Sequence, residues 1–447
     1  MAGRSGGRMA GREHDNRPPG PRGHWLTGNT TAYEADRIGF IRRNHDEYGD
    51  VFAFDERTVF VIDTQLAHDV LTRPDGGFLP ELAPFDVRPD LDRAAERSQS
   101  WMPVRRAAWA GLNRQASAGS DARTVEILDA ALDAAAGRDV DVLTLMRGYT
   151  ARTIADYCFG ADAGNIPQLL AEGIAATAPF ETATYALPAW LPLRRNRRFR
   201  HAHRRFGDAM RSIVARRRTG DAGASAVDLL DVLLAAGPAG AAMPDRAVVA
   251  VLQAVLLGGH GVPAAALTSL VRELAGRPRL VADLRDEAGG PAGTGDPPPV
   301  ARLPLAEAVV NEVLRLYPPA WLMTRTARTA TGLGPWSLAA GDEVLICAYL
   351  VHRDPRWWSR PDEFEPDRWL AGRPAPGTAY LPFGAGPRVC LGTTLTMRQL
   401  TLAASRLAQR GAVESPDAAS VPMRFVGRLA PAGLRARFIQ FGSRAVA

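Results

Sequence analysis

Residues 381–392, LPFGAGPRVCLG, place one cysteine among three glycines. Glycine lets a backbone approach a flat cofactor closely and adopt positive φ. Several N–H groups can then point at the sulfur of Cys390, which stabilises a thiolate and tunes a bound metal, and Gly392 is one of the candidate cofactor contacts. Arg388 suits a carboxylate on such a cofactor, and Phe383 would cover the ligand and limit water. The stretch predicts a metal-ligating cysteine; the alternative is a glycine-rich turn around a buried cysteine.

This stretch resembles the heme-binding signature of the cytochrome P450 family, Phe-Gly-x-Gly-x-Arg-x-Cys-x-Gly, and every position of that pattern is present. The resemblance implies heme b as the cofactor and Cys390 as the axial thiolate of its iron. A thiolate ligand pushes electron density toward O–O cleavage. The resemblance also implies the cytochrome P450 fold, in which one long central helix lies over the heme.

A second motif, NEVLRLYPP at 311–319, holds Glu312 and Arg315 on one helix face at i,i+3 spacing. Taken alone, the motif is typical of a surface ion pair that contributes little. FEPDRWL, 364–370, lies between this motif and Cys390, in the order that the P450 family shows. By this resemblance, Glu312, Arg315 and Arg368 form a buried network that braces the heme loop.

Two further segments resemble parts of the P450 family that meet the heme propionates. WMPVRRAAWAGL, 101–112, contains Trp101 and Arg105 in a Trp-x-x-x-Arg arrangement, and YPPAWLMTRTA, 317–327, contains Arg325. Arginines that face a dianionic cofactor make chemical sense, because the guanidinium binds carboxylates in a fixed fork geometry. The alternative for each arginine is a solvated side chain.

The stretch LLGGHGVPAAAL, 256–267, lies at the centre of a long apolar helical pattern. By resemblance it crosses the distal face of the heme, where the family has Ala/Gly-Gly-x-Glu/Asp-Thr-Thr. Gly258 and Gly259 match the glycine step that lets the helix approach the heme. Pro263 has no N–H and clashes with the carbonyl four residues earlier, and it disfavours helical geometry at Val262. A kink is therefore expected at this point.

The same stretch lacks the acid and alcohol that organise proton delivery in the family, because Gly261 and Val262 occupy their positions. Three consequences stay open. Water or a substrate hydroxyl replaces the pair in an oxygenase, a peroxide serves as oxidant, or the heme serves an isomerisation, rearrangement or cyclisation. His260 could supply a polar group, although it could also point away from the heme. Residues 258–263 are the candidate catalytic segment.

The remaining pattern is mainly α with small β-sheets, an α+β fold class. Helical periodicity is strong in 123–136 and 245–276, whereas strand-like pieces are short, at 50–55, 58–63, 342–350 and 435–441. Residues 1–20 are typical of a disordered arm, which leaves 21–447 as a single domain. No uninterrupted run of about 18 apolar residues is present, so no membrane span is predicted.

Composition narrows the function further. The formal charge is +6 and all 54 basic residues are arginine, yet no nucleic-acid-binding motif is present. Three cysteines suit a reducing compartment, and a cytoplasmic monomer is expected.

The resemblance to the P450 family implies that the protein is a heme-thiolate oxidoreductase of monooxygenase type. Its substrate is a hydrophobic small molecule, by analogy a terpenoid or other natural-product intermediate. Separate ferredoxin and ferredoxin reductase would supply electrons. The alternatives are a non-monooxygenase heme-thiolate enzyme and a non-catalytic heme sensor.

Overall fold

The computed structural model describes residues 16–73, 77–80, 90–181, 191, 193–220, 227–235, 243–293, 296–372 and 374–440. Helices dominate these ranges and supply most of the two largest apolar core clusters. The helices are α1 (Thr30–Ala35), α2 (Arg37–Tyr48), α3 (Thr64–Thr72), α4 (Leu91–Ala108), α5 (Arg114–Ala118), α6 (Asp121–Ala135), α7 (Val142–Phe159), α8 (Ile166–Glu181), α9 (Arg194–Arg218), α10 (Leu229–Ala235), α11 (Asp245–Ala275), α12 (Pro278–Glu287), α13 (Pro304–Leu316), α14 (Ala348–Val351) and α15 (Thr393–Arg410).

The strands are short and belong to small sheets. They are β1 (Val51–Ala53), β2 (Thr58–Val61), β3 (Phe78–Pro80), β4 (Asp139–Asp141), β5 (Met323–Ala327), β6 (Thr331–Leu333), β7 (Trp336–Leu338), β8 (Glu343–Ile346), β9 (Gly411–Glu414), β10 (Met423–Val426), β11 (Arg428–Pro431) and β12 (Arg435–Gln440). One sheet has the order β1-β2-β8-β5-β3 and another β4-β12-β9, while β6–β7 and β10–β11 are antiparallel pairs. The predicted fold class, mainly α with small sheets, is confirmed.

Helix α7 shows how local sequence sets the frame of the core. The Asp141 carboxylate accepts a hydrogen bond from the Thr144 N–H at 2.7 Å, which satisfies a donor that the helix leaves unpaired at its start. Gly160, with a φ of 52°, ends the helix. Between these ends, the buried Tyr149 and Ile154 help to pack α7 into the core beside α11.

Helix α11 runs through the centre of the molecule. It is long and apolar enough to cross a membrane by length and composition, with a mean hydropathy of 1.7 in its most apolar window. In the fold it packs against α7, α9, α13, α15 and β11, which makes it a core helix of this domain. The prediction that Val262 leaves helical geometry is wrong, because the helix continues through Val262 and the buried Pro263. Packing on several sides outweighs the cost of an internal proline, about 3 kcal/mol.

The ordered chain begins before residue 21. The Pro19 carbonyl accepts a hydrogen bond from the Ala53 N–H at 2.8 Å, and the Asn16 carbonyl accepts one from the Ser337 N–H at 2.9 Å. Residues 16–20 therefore pack against the sheet region, and the expected arm boundary at residue 20 is wrong for these five residues. The rest of the predicted arm, 1–15, lies outside the described residues, and the single domain over 21–447 stays a prediction.

Candidate functional site

The Cys390 loop is built by backbone conformations that favour glycine. Gly384 and Gly386 have φ values of 71° and 72°. A Cβ on Gly386 would lie 2.6 Å from the Leu71 carbonyl oxygen, so the end of α3 also requires glycine there. The Cys390 N–H then donates to the Phe383 carbonyl at 2.9 Å, which closes the loop. The loop presents Cys390 as an exposed side chain, whereas the other two cysteines of the chain are buried.

The electrostatics around the Cys390 sulfur are mixed. Desolvation by the surrounding protein raises the pKa of the Cys390 thiol above its ordinary value, while the Gly392 N–H, the Arg105 guanidinium and Thr393 oppose that rise. The N–H and the guanidinium both stabilise the thiolate. The site therefore holds groups that would support a metal-bound thiolate once a cation supplies the remaining stabilisation.

Two arginines from different elements converge beside this sulfur. Arg105 on α4 donates to the Val389 carbonyl, and Arg388 donates to the Ser98 hydroxyl on α4. Desolvation lowers the pKa of each guanidinium, and repulsion from Arg105 lowers that of Arg388 further. Within the described ranges, neither guanidinium has a carboxylate partner. An anionic ligand bound beside Arg105 and Arg388 would compensate the two guanidinium groups for their lost hydration. It would also offset the repulsion between them.

The other predicted cofactor contacts lie around the same loop. Arg325 on β5 lines a cavity of about 240 Å³ together with Arg388, Ser98 and Met102. Trp101 is half-buried on α4, one turn before Arg105, and packs against the apolar core. Phe383 packs on the core at the start of the loop. The fold thus gathers the predicted residues from α4, β5 and the cysteine loop.

A buried charge network lies behind the loop. Glu312 and Arg315 are both fully buried, and the Arg315 Nη2 donates to the Glu312 Oε1 at 2.8 Å. Arg368 Nε donates to the same oxygen at 3.1 Å, and Trp369 Nε1 donates to the Glu312 Oε2 at 2.9 Å. Arg315 also donates to the carbonyls of His352, Pro361 and Glu363. The three predicted residues are therefore in one hydrogen-bonded cluster.

His352 joins this network to the cysteine loop. Its Nε2 accepts from the Leu381 N–H at 2.8 Å, so its Nδ1 carries the proton and donates to the Arg315 carbonyl at 3.2 Å. Complete burial is the main reason that the pKa of His352 falls to about 3, which keeps the ring neutral. Sequence reasoning gave no role to His352 or Trp369. The motif HRDP (352–355), which contains His352, and the motif FEPDRWL (364–370), which contains Trp369, are the sequence features that could have indicated their roles.

The predicted distal residues divide between different faces of α11. Gly258 is exposed, with open space where a Cβ would project. Gly259 faces α7, where a Cβ would lie 2.6 Å from Ile154 Cγ1, and therefore serves the helix–helix approach. Val262 is half-buried, and Pro263 is buried. The sequence assigned both glycines to the approach of the heme. In the structure Gly258 lies on the exposed side of α11, whereas Gly259 lies against α7.

His260 points into the protein and not toward the open side of α11. It is 1% exposed, and its Nδ1 lies 3.1 Å from the Thr150 Oγ1 on α7. In a helix, residues two apart point about 200° apart, so His260 and Gly258 face nearly opposite directions. The structure therefore places His260 away from the side that Gly258 lines, as the second of the two sequence alternatives has it, and a catalytic role for His260 stays an untested prediction. Thr150 was missed because it is 110 residues away in sequence.

His260 makes acid stability testable. Burial, followed by the charges of Arg147 and Arg428, lowers the pKa of His260 to about 4. Because the folded pKa lies below the unfolded one, stability is present above about pH 6.5 and is lost as the pH falls toward about 4. Between about pH 7.5 and about pH 5 we expect a loss of about 2 kcal/mol from this residue. Urea unfolding of wild type and His260→Gln at both pH values measures it.

His68→Gln on α3 is the matched control, and it should show the wild-type loss. In His260→Gln, the substituted amide retains a polar partner for Thr150 but does not titrate. If His260→Gln loses as much stability on acidification as wild type, the assignment of this loss to His260 is refuted.

The family profile described as Cytochrome P450 matches residues 18–431. The chain belongs to the cytochrome P450 family. It is 36% identical over 288 residues to cyclooctatin synthase of Streptomyces melanosporofaciens, a match that covers 62% of each protein.

Two more distant relatives match different shares of this chain. Cyclooctat-9-en-7-ol 5-monooxygenase of Streptomyces melanosporofaciens is 29% identical over 61% of this chain and 62% of its own. Steroid 17-alpha-hydroxylase/17,20 lyase of Felis catus is 26% identical over 84% of this chain and 82% of its own. The chain therefore matches less than two thirds of the length of the two Streptomyces relatives.

P450 proteins bind heme through an axial cysteine thiolate, and the residues of this structure fit that group. The sulfur of Cys390 is accessible on a glycine-built loop, and the nearby Arg105 and Arg388 lack carboxylate partners among the described residues. Gly258 leaves open space along α11. Cys390 would ligate the iron, and Arg105, Arg388 and Arg325 would meet the propionates. The bound heme would supply one-electron and oxygen chemistry.

Proposed function

We propose that this P450 is a heme-thiolate monooxygenase that acts on a hydrophobic, terpenoid-class small molecule. The observation that carries the proposal is the Cys390 loop, in which one accessible sulfur and two arginines without carboxylate partners among the described residues converge. The relatives support the reaction class, because two of their names are a 5-monooxygenase and a 17-alpha-hydroxylase. The same names refer to an unsaturated alcohol and to steroids, which supports a hydrophobic substrate.

The chain's own residues would bind and orient such a substrate through apolar contact. The exposed side of α11 carries Ala254, Leu257 and Gly258, of which Leu257 is 38% exposed despite its place at the centre of the fold. Phe180 and Phe199, from α8 and α9, pack with ring centroids 5.2 Å apart. Apolar surface of this kind binds hydrophobic molecules and excludes water. Other predicted pocket residues, Tyr185, Leu187 and Trp190, which the resemblance to the family also assigns to the substrate channel, lie outside the described residues.

A second candidate is a non-monooxygenase heme-thiolate reaction, such as peroxide-driven oxidation, isomerisation or cyclisation. The favouring observation is that α11 carries Gly261 and Val262 where the family has its acid and alcohol. A Cβ on Gly261 would meet the Arg428 guanidinium at 3.2 Å, so an arginine borders the space that an acidic side chain would enter. In this candidate the same loop and the same apolar surface serve a reaction that needs no proton delivery from α11.

The proposed partners follow from the monooxygenase assignment. Electrons would come from a separate ferredoxin and ferredoxin reductase, and the basic balance of the chain, +6, suits an acidic donor. We further propose a monomer in the cytoplasm.

Three parallel reactions test the proposed function. Each contains the heme-loaded protein and a panel of cyclic terpenoid alcohols and steroids. One reaction has air, NADPH, ferredoxin and ferredoxin reductase, one has hydrogen peroxide alone, and one is anaerobic without reductant. We expect an oxygenated product in the first reaction only, with its new oxygen derived from labelled O2.

The other outcomes are equally informative. Product that requires only peroxide, or product formed without air and reductant, would refute the monooxygenase and support the second candidate. Ligand-induced changes in the heme spectrum without product in any reaction would refute both. A reaction with Cys390→Ala, run beside each, establishes that the product depends on the heme-thiolate site.

A further inference from the structure

A cavity of about 250 Å³ lies beside the missing acid position, and its lining does not include Leu257 or Gly258, the exposed residues of α11 that are proposed to contact the substrate. Its walls come from α7, the α11 segment around Gly261, the β10–β11 hairpin and the two residues that follow β11. Three of its lining residues are arginines, namely Arg147, Arg424 and Arg428. None of the described residues that line it is acidic.

The arginines concentrate positive charge at one point of α11. The space beyond Gly261 is bordered by Arg428, whose Cζ and Nε lie 3.2 Å from where a Cβ would be. Arg147 and Arg428 line the same cavity, and the charge of each lowers the pKa of the adjacent His260. Because His260 is neutral and buried, it neither offsets nor adds to the positive charge of these arginines. The cavity is therefore a concave, electropositive site that is closed on one side by a glycine.

We propose that this cavity binds a carboxylate, which Arg428 and Arg147 hold beside Gly261. A planar guanidinium forms paired, charge-assisted hydrogen bonds with a carboxylate, and two such groups around one cavity favour an anion over a neutral ligand. Gly261 matters because any side chain there would take up room next to Arg428. The carboxylate has two possible sources: a small free anion, or an acid group on a larger hydrophobic molecule.

The proposal rests on the cavity alone and holds whether or not the chain is a monooxygenase. Its test is a binding measurement on the heme-loaded protein, so failure of turnover and failure of anion binding are separate results. Isothermal titration calorimetry with sodium acetate, at constant ionic strength set by a bulky anion, is the main readout. We expect saturable binding with a Kd on the order of 1 mM, since the cavity is open to solvent.

Two kinds of variant locate the site. Arg428→Gln removes the charge, and Gly261→Asp places a carboxylate of the chain itself against Arg428. Both are expected to weaken acetate binding by at least about tenfold. Arg147→Gln should weaken acetate binding by a smaller factor. It replaces Gly261→Asp as the second cavity variant if Gly261→Asp does not fold. Arg302→Gln, an exposed arginine far from the cavity walls in sequence, is the matched control and should bind acetate as wild type does.

A second titration separates the two sources of the carboxylate. A terpenoid-sized carboxylic acid is compared with its methyl ester, and each is tested in competition with acetate. Tight binding of the acid, weak binding of the ester and displacement of acetate would assign the site to a hydrophobic acid. Acetate binding without competition would assign it to a free anion. No saturable acetate or acid binding, or equal binding by wild type, Arg428→Gln and Gly261→Asp, would overturn the proposal.

Discussion

Replacing Cys390 with alanine is expected to abolish the heme-thiolate absorption spectrum and to lower turnover by more than about 100-fold, the upper range for loss of a supporting residue around a metal. The reason is that Cys390 alone, among the three cysteines, presents an accessible sulfur, while Cys158 and Cys347 are buried. Arg105 and Arg388 remain in the variant, so it is expected to retain some heme by contacts with the propionates. The spectrum of the reduced carbon monoxide complex distinguishes retained heme from thiolate-ligated heme.

Cys347→Ala is the matched control for this substitution. Cys347 is fully buried at the start of α14, and burial raises the pKa of its thiol to about 12, so its sulfur is not a ready ligand. This variant should keep the thiolate spectrum. Far-ultraviolet circular dichroism of both variants checks that the fold is intact. A thiolate spectrum that persists in Cys390→Ala would show that the axial ligand is a different residue.

Breaking the Glu312–Arg315 pair is expected to produce the largest loss of stability. Both side chains have 0% exposure. Removal of Glu312 leaves Arg315 buried with only neutral carbonyl partners among the described residues, which costs about 3–5 kcal/mol, whereas removal of Arg315 leaves Glu312 paired with Arg368 and costs less. Glu312→Leu also leaves the donors of Arg368, Trp369 and the Glu365 N–H without their acceptor. Because His352 links this cluster to the Leu381 N–H, we also expect faster loss of heme from the cysteine loop.

A double-mutant cycle separates this pair from a general effect of core substitutions. Glu312→Leu, Arg315→Leu and the double variant are unfolded with urea in the heme-loaded form, and heme release to an acceptor protein is measured in parallel. The double variant should be less destabilised than the sum of the single variants by about 1–3 kcal/mol. Glu307→Leu, an exposed glutamate on the same helix, should change stability by less than about 0.5 kcal/mol. Additive costs in the cycle would show that the pair is not coupled.

Much of the fold could be predicted from the sequence because its signals are local. The periodicity of 123–136 and 245–276 corresponds to α6 and α11, and the short strand patterns correspond to β1, β2, β8 and β12. The glycines around Cys390 indicated a loop that requires positive φ, and Gly384 and Gly386 have it. The i,i+3 spacing of Glu312 and Arg315 indicated that they share a helix face. Each of these properties depends on residues within a few positions of one another.

Other properties are decided only when distant segments meet. The sequence of α11 contains an internal proline, yet packing on several elements keeps the helix continuous through Pro263. Which glycine serves which face depends on Ile154 of α7, and the orientation of His260 depends on Thr150 of the same helix. Arg428 reaches Gly261 from a hairpin near the end of the chain. The sequence by itself determined the cysteine loop, the family and the absence of an acid at position 261. Only tertiary structure decided what surrounds that position, because side-chain direction and charge there are set by contacts between elements that no local pattern encodes.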